Sequence, residues 1–450
     1  MIRYWIALRY WGVNDMTFNQ IAIKDFKMHA RRYLSFFICN SCTVMILFLY
    51  STLMFNNEIQ NSISFLTKDR LKTAVIAVTV FAVMFLGYAF MTFVKSRNRN
   101  MGLFITLGVT GKEMGRVIRI ENTLIIAASL VAGLVPGILF SRLFFMVIID
   151  MLGQDLVQYS LNVAEFAFAI GVFLSTFLFL TLWSNREVRK LELSDLLRYT
   201  RRTEATERKR PILVVAGCIL ILLAFTIKFN EIIYVPEDSV IFAILCFLGL
   251  YWIVTQLGPI LLDAIREKKR LYHQNILGYS ELIYKLTRSK TALYIMTILN
   301  TLIMYFVGTS FSAYLTGVGS RLQEGMMLLF VSIFIAALFF AAVGCIIYFK
   351  LFSEIEGERI RYRNLFRMGI CKREVKRYIA LELKTLFFLP LILGVIIIIP
   401  FIALDNIRAK PVTIMAYCIC ADSIYILIQV ALYMLMKRRY INNIVYKQTV

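Results

Sequence analysis

Residues 107–120, LGVTGKEMGRVIRI, contain the glycines and the lysine that a phosphate-binding loop would use. Such a loop needs four residues between its glycines, and a hydroxyl residue directly after its lysine to hold Mg²⁺. Here only two residues separate Gly108 from Gly111, and Lys112 is followed by Glu113, whose carboxylate would repel phosphate. The stretch is therefore not predicted to bind a nucleotide.

Cysteine and histidine offer little material for metal or redox chemistry. Cys39 and Cys42 form a C-x-x-C pair, but no second such pair and no histidine pair accompanies them. The two histidines, His29 and His273, lie far apart in the sequence. Cysteines inside apolar runs behave as small hydrophobic residues. We expect no metal site, no cofactor and no catalytic residue in this chain.

The composition is that of a membrane protein. The 450 residues are 59% hydrophobic and only 17% charged, with a mean hydropathy of +0.71, whereas soluble domains carry about 25% charged residues. A membrane-spanning helix needs about 20 largely apolar residues. Ten runs qualify, which predicts an all-α polytopic membrane protein with spans at 33–55, 73–94, 123–149, 165–184, 211–229, 239–263, 291–314, 326–349, 385–404 and 412–436.

The basic residues predict the orientation of the spans. The formal net charge is +22, and most Lys and Arg residues lie in the two terminal segments and in every second connection. The positive-inside rule therefore places both termini in the cytoplasm of a cell that is expected to be bacterial. Such a basic face suits anionic lipid headgroups and an acidic partner surface rather than nucleic acid. The opposite connections are short, and the longest is 56–70.

The chain repeats itself after a shift of 261 residues. The stretch that begins at Leu107 then meets MGICKREVKRYIALE, residues 368–382, so that Gly108 falls on Gly369 and Glu121 falls on Glu382. A glycine at such a place is typical of a helix C-cap or of a turn that needs a positive φ. In both copies a basic-acidic pair follows the glycine and opens a predicted amphipathic helix that leads into the next span.

This repeat divides the chain into two related modules of four spans each, 33–184 and 291–436. Residues 185–290 form a linker that carries the two extra spans. An interfacial amphipathic helix is predicted before each module, within 1–32 and at 275–290, and residues 437–450 form a basic cytoplasmic tail. Met16 is expected to be the natural start of the chain.

Three stretches carry a resemblance to a known family. They are FKMHARRYLSFFICNSCTVMILFLYSTLMF at 26–55, RNRNMGLFITLGVTGKEMGRVIRIENTLI at 97–125, and YFKLFSEIEGERIRYRNLFRMGICKREVKRYIALE at 348–382. The chain resembles the FtsX-like permeases, which are the membrane subunits of ABC exporters that work by mechanotransmission. It is most similar to the ten-span bacitracin-resistance, or BceB-like, permeases.

The resemblance implies that two cytoplasmic stretches, the coupling segments 107–116 and 368–377, dock on a separate ATPase subunit. That subunit, expected to be a homodimer, would bind ATP and Mg²⁺, and a histidine kinase is a further implied partner. The matching positions in this chain are Leu107, Gly108, Lys112, Glu113, Arg116, Met368, Gly369, Arg373, Glu374 and Arg377.

One departure from the family concerns target recognition. The bacitracin-type permeases have a large external domain between their seventh and eighth spans, where this chain has only residues 315–325. In the family that domain is associated with recognising the peptide or its lipid-bound target, and with signalling to the kinase. Its absence leaves the coupling to an ATPase unaffected but puts recognition and sensing in doubt.

Three polar residues lie inside predicted spans. Asp422 lies in the tenth span, where a carboxylate is costly and is a functional candidate by default. Asn40 in the first span and Asn300 in the seventh are candidates for interhelical hydrogen bonds. A purely structural role, holding the bundle together, is the alternative for these side chains.

Two functions from different classes fit these patterns. The first is a permease subunit of an ATP-driven complex that exports antimicrobial peptides or frees their lipid targets. The second is a regulatory membrane module that relays the state of the ATPase to a sensor kinase or a cell-wall hydrolase without transport. An ion-coupled secondary transporter would need several charged residues at mid-membrane, and Asp422 alone gives it little support.

Overall fold

Ten long helices account for nearly all the described structure. The computed structural model describes residues 30–56, 60, 63–106, 111–151, 161–190, 210–229, 238–267, 285–287, 289–316, 320–353, 358, 361–364, 367, 369, 371–405 and 411–442. Within those ranges the regular structure is helical, and no strand occurs there. Residues 1–29, with most of the predicted helix before the first module, and residues 275–284 of the second interfacial helix lie outside them.

All ten helices are long and apolar enough to cross a membrane. This confirms the prediction of an all-α, multi-pass membrane protein. In chain order they are α1 (Ala30–Phe55), α2 (Phe65–Thr106), α3 (Gly111–Met151), α4 (Val163–Lys190), α5 (Pro211–Phe229), α6 (Asp238–Glu267), α7 (Lys290–Thr316), α8 (Ser320–Ser353), α9 (Lys372–Asp405) and α10 (Pro411–Ile441).

Several helices extend well beyond the apolar runs that predicted them. The third and ninth spans were predicted to begin at residues 123 and 385, but α3 begins at Gly111 and α9 at Lys372. The hydropathy pattern marks only the part of a helix that is surrounded by lipid. The charged turns in front of it are helical as well, because they carry good helix-forming residues and no proline.

In each module the first helix is the central one. α1 contacts α2, α3 and α4, and α7 contacts α8, α9 and α10 in the same way. One close approach also recurs after the 261-residue shift: Gly133 on α3 lies against Ser41 and Val44 of α1, and Gly394 on α9 lies against Thr301 of α7. The two groups of four helices thus share a similar pattern of contacts around their first helix.

The two extra helices, α5 and α6, pack against each other through a pair of glycines. A Cβ atom added to Gly249 would lie 2.7 Å from the carbonyl oxygen of Gly217, and one added to Gly217 would lie 2.8 Å from that of Gly249. The pair joins the second module, since α6 contacts α7 and the ring of Phe242 lies 4.7 Å from that of Phe401 on α9.

Aromatic side chains form much of the contact between the modules. The rings of Phe81 on α2 and Phe339 on α8 are 4.6 Å apart, and Phe144 on α3 lies 5.2 Å from Phe330 on α8. The hydroxyl of Tyr50 on α1 donates a hydrogen bond of 3.2 Å to the carbonyl oxygen of Val331. α8 therefore holds the second module against three helices of the first.

A polar contact joins the modules at the end of the bundle that is predicted to face outward. The carboxylate of Glu324, near the start of α8, accepts hydrogen bonds from the Ser64 amide at 3.2 Å and from the Ser64 hydroxyl at 2.6 Å. It also accepts one from the hydroxyl of Thr67. Because Ser64 precedes the first residue of α2, this carboxylate lies at the positive end of that helix, where it is stabilising.

Candidate functional site

The first coupling segment lies at the junction of two very long helices. α2 continues past the membrane-spanning part to Thr106, and α3 begins at Gly111. Leu107 and Gly108 fall between them, outside the described residues. Lys112, Glu113 and Arg116 occupy the first turns of α3, for which the backbone alone is described. From there α3 runs as one helix to Met151, so the segment is continuous with the third span.

The second coupling segment is described in more detail. Gly369 forms a turn with φ +93°, and α9 starts three residues later at Lys372. A Cβ atom added to Gly369 would meet no atom within 4 Å, so this position requires glycine for its backbone conformation and not for space. The neighbouring Met368 lies outside the described residues. The sharp turn redirects the chain into α9.

The start of α9 is amphipathic. Arg373, Glu374 and Arg377 are exposed, whereas Val375 and Ile379 on the other face are completely buried. The buried face fixes the rotation of the helix about its axis. The exposed face then presents two guanidinium groups and a carboxylate away from the bundle, a suitable surface for a charged partner.

A buried ion cluster lies beside this helix. The ammonium group of Lys285 forms salt bridges with Glu358, at 3.3 Å, and with Glu382 on α9. It also donates a hydrogen bond of 3.2 Å to the hydroxyl of Tyr362 and lies 5.4 Å from the centre of that ring. We call Lys285, Glu358, Tyr362 and Glu382 the Lys285 cluster. Tyr440, near the end of α10, is buried within electrostatic reach of it.

The cluster joins three separate parts of the chain beside α9. Lys285 precedes α7, Glu358 and Tyr362 lie between α8 and α9, and Glu382 lies on α9 itself. Sequence reasoning singled out Glu382 as the repeat of Glu121, but it missed the other three members. No local sequence pattern indicates these residues, because Lys285 and Glu382 are separated by 97 residues.

The matched glutamate of the first module has a related contact. Glu121 on α3 accepts a hydrogen bond of 3.4 Å from the hydroxyl of Tyr33 on α1. In both modules a carboxylate at the same repeat position ties the helix of the coupling segment to a neighbouring element. The ties differ in strength, since only the second module places a buried lysine at this point among the described residues.

The three polar residues inside the spans fall into two groups. Asn300 on α7 accepts a hydrogen bond of 2.5 Å from the hydroxyl of Tyr425 on α10, and Asp422 lies one helical turn before that tyrosine. Asn40 lies in the other module, where it is completely buried, and neither atom of its amide has a hydrogen-bond partner among the described residues. The structure therefore brings Asn300 and Asp422 into one region and leaves Asn40 apart.

Comparison with known proteins agrees with this arrangement. A family model described as "FtsX-like permease C-terminal" matches residues 72–193. The match runs from α2 through the first coupling segment to the end of α4. It therefore includes the stretch of the first module that the shift of 261 residues aligns with the second.

Several known proteins are similar to a longer part of the chain, and they are also named as permeases. The "ABC transporter permease protein YxdM" of Bacillus subtilis is 25% identical over 309 residues, which are 68% of this chain and 49% of the relative. The "Uncharacterized ABC transporter permease YvcS" of the same species is 24% identical, covering 66% of this chain and 47% of the relative.

A third relative, the "Bacitracin export permease protein BceB" of Bacillus subtilis, is 22% identical over 66% of this chain and 49% of its own length. The matches thus span about half the length of these relatives. The ten apolar helices, the matched family model and the named relatives are consistent with one another. Residues 72–193 thus match an FtsX-like permease domain, and about two thirds of the chain is similar to proteins named ABC transporter permeases.

Proposed function

We propose that the chain is the membrane subunit of an ATP-driven transporter in which a separate ATPase moves the helices from the cytoplasmic side. The observation that carries the proposal is the continuity of two helices. α3 and α9 each begin inside a coupling segment and run without a break through the membrane-spanning part. Since α9 has 34 residues, a rotation at its charged start moves atoms about 50 Å away.

The ATPase partner supplies the chemistry that this chain lacks. ATP and Mg²⁺ bind there, and closure of an ATPase homodimer pushes on Lys112, Glu113 and Arg116 in the first module. In the second module it pushes on Arg373, Glu374 and Arg377. The exposure of these last three side chains on one face of α9 supports this role. The Lys285 cluster prevents the start of α9 from bending away, so that the push is passed on to the span.

The proposed cargo is an antimicrobial peptide, or the lipid that such a peptide binds. The name of one relative, a bacitracin export permease, supports this class. α7 ends at Thr316 and α8 begins at Ser320, so the connection that carries the external domain in bacitracin-type permeases is three residues long here. Recognition of the cargo would then take place between the helices, within the membrane.

The test is a double charge reversal, Lys112→Glu with Arg373→Glu, in cells that contain the ATPase subunit. We expect the variant to insert into the membrane normally but to lose peptide resistance and the stimulation of ATP hydrolysis by the permease. Arg438→Glu with Arg439→Glu is the matched control, because these arginines are exposed at the predicted cytoplasmic end of α10. Full resistance in the double variant would contradict the proposed coupling.

The short connection between α7 and α8 also favours a second candidate function, the regulatory relay to a sensor kinase or a cell-wall hydrolase. Such a relay needs the coupling segments but no path for a cargo. Deleting the gene separates the two functions. Loss of peptide resistance with normal induction of the resistance operon supports transport, whereas loss of induction with unchanged resistance supports the relay.

A further inference from the structure

One face of α10 carries a line of polar side chains that points into the second module. Cys418, Asp422, Tyr425 and Gln429 follow one another at intervals of four, three and four residues, which places them on a single helix face. Such a polar line is unusual in a span, because lipid offers no hydrogen bonds and each group needs a partner within the protein.

Three of the four side chains on this face have such a partner. The thiol of Cys418 donates to the carbonyl oxygen of Gly308 at 3.3 Å, and the Tyr425 hydroxyl donates to Asn300. The side-chain amide of Gln429 donates to the carbonyl oxygen of Phe387 at 3.3 Å. These bonds hold α10 against α7 and α9. Asp422 is the exception.

Two complementary groups remain unused along this contact, one on Asp422 and the other on Asn300, which bonds Tyr425 one helical turn further along α10. Oδ1 of Asp422 is buried and accepts no hydrogen bond, and no ion pair of Asp422 is found within the described part of the chain. Asn300 is completely buried, and its Nδ2 group has no acceptor because Tyr425 occupies only the oxygen of that amide. A carboxylate acceptor and an amide donor are thus both left without partners.

The position of Asp422 narrows the kind of ligand that could satisfy these groups. It lies about 16 Å along α10 from Pro411, deep in a hydrocarbon layer of about 30 Å. A bare metal ion needs several oxygen ligands, and no group of three metal-binding side chains occurs among the described residues. The ligand must therefore bring its charge into the membrane on an apolar body.

The lipid-facing side of α10 fits such a body. Ile419 and Ile424, on either side of Asp422, are 47% and 62% exposed, and Leu427 is 69% exposed. Asp422 itself is only half-buried, so the residue reaches the edge of α10 that borders the lipid, although its Oδ1 atom is buried. A ligand approaching from the lipid would lay its apolar part on these side chains and its polar end on Asp422. Contact with Asn300, which is completely buried, requires α10 to move away from α7.

We propose that Asp422 and Asn300 form an intramembrane site for an amphiphilic primary amine with an oxygen atom on a neighbouring carbon. The ammonium group binds the carboxylate of Asp422, and the oxygen accepts a hydrogen bond from Nδ2 of Asn300. Both a membrane-inserted peptide and an amino lipid carry this chemistry. The site takes the peptide amine, an assignment that rests on the proposed function, because a peptide is the cargo that the name of one relative supports.

Photolabelling of the purified full-length chain tests the site. The chain is placed in nanodiscs of phosphatidylcholine, a lipid without a primary amine, in the absence of any ATPase. The probe is 2-aminohexadecan-1-ol with a diazirine in its alkyl chain, and hexadecanol with the same diazirine is its neutral control. Mass spectrometry should place the label of the amine on α7 and α10. Equal labelling of these helices by the neutral alcohol would overturn the proposal.

Variants test the two groups separately. We expect Asp422→Asn to weaken labelling by about tenfold or more, since a charge-assisted hydrogen bond becomes a neutral one. Asn300→Leu should weaken it less. Glu165→Gln is the matched control, because Glu165 is a buried carboxylate in a span of the other module and should leave labelling unchanged. Undiminished labelling of Asp422→Asn would refute the role of the carboxylate.

Competition on the unmodified chain keeps the test valid if a variant fails to fold. Excess 2-aminohexadecan-1-ol without the diazirine should abolish labelling, and excess hexadecanol should not. A cationic amphipathic peptide that competes while phosphatidylethanolamine does not would assign the site to peptide amines. If phosphatidylethanolamine competes and the peptide does not, the assignment of the site to peptide amines is wrong. Because no ATPase is present, failure here would leave the proposed ATP-driven permease untouched.

Discussion

Lys285 lies where three separate segments of the chain meet, and it is a residue that no sequence pattern marked. Asp422 could be singled out because a carboxylate inside an apolar run is costly wherever it lies. Lys285 could not be singled out in this way, because a lysine in a basic connection is expected to be a solvent-exposed charge. Its burial and its two carboxylate partners depend on how distant segments fold together, which hydropathy and spacing do not report.

The contribution of this lysine can be measured directly. We expect Lys285→Met to destabilise the protein by about 3–5 kcal/mol, because the buried carboxylate of Glu358 and the partly buried carboxylate of Glu382 lose this cation. Adding Glu358→Gln and Glu382→Gln to Lys285→Met should restore much of the lost stability. The control is Lys384→Met, which replaces an exposed lysine on α9 and should change the free energy of unfolding by no more than about 0.5 kcal/mol. The measurement is thermal unfolding in detergent, and equal effects of the two lysine substitutions would contradict a buried cluster.

At the scale of helices, the sequence predicted all ten membrane spans but not where the helices begin. Hydropathy finds the lipid-facing part of a helix, and it is silent about charged turns in front of it. The repeat supplied the missing signal at α9, where the amphipathic pattern after Gly369 matches the exposed Arg373 and the buried Val375. The glycine contact between α5 and α6 had no such signal, because neither glycine stands in a recognisable spacing.

That contact gives a prediction for one pair of helices. Gly249→Ala places a Cβ atom 2.7 Å from the Gly217 carbonyl oxygen, so α5 and α6 must move apart. We expect a loss of about 1–3 kcal/mol, as for other overpacked contacts. Gly171→Ala on α4 is the control, because a Cβ atom there meets nothing within 4 Å. A similar unfolding temperature for the two variants would show that the close approach does not hold the pair together.

For the whole molecule, the internal repeat predicted two modules, and each is built around its first helix, α1 or α7. The way the modules meet was beyond the sequence. Phe81 and Phe339 lie in ordinary apolar runs, and nothing in those runs distinguishes a side chain that packs on the other module from one that faces lipid. The contact of Glu324 with Ser64 and Thr67 likewise joins residues some 260 positions apart.

The central claim is that a separate ATPase drives these two modules through the coupling segments. Its most direct test is photo-crosslinking in cells from p-benzoylphenylalanine placed at Arg116 or at Arg377, with Arg438 as the control position. The account predicts that a nucleotide-hydrolysing subunit is captured from both coupling positions and not from the control. Capture of no such subunit from either position, or equal capture from Arg438, would contradict it.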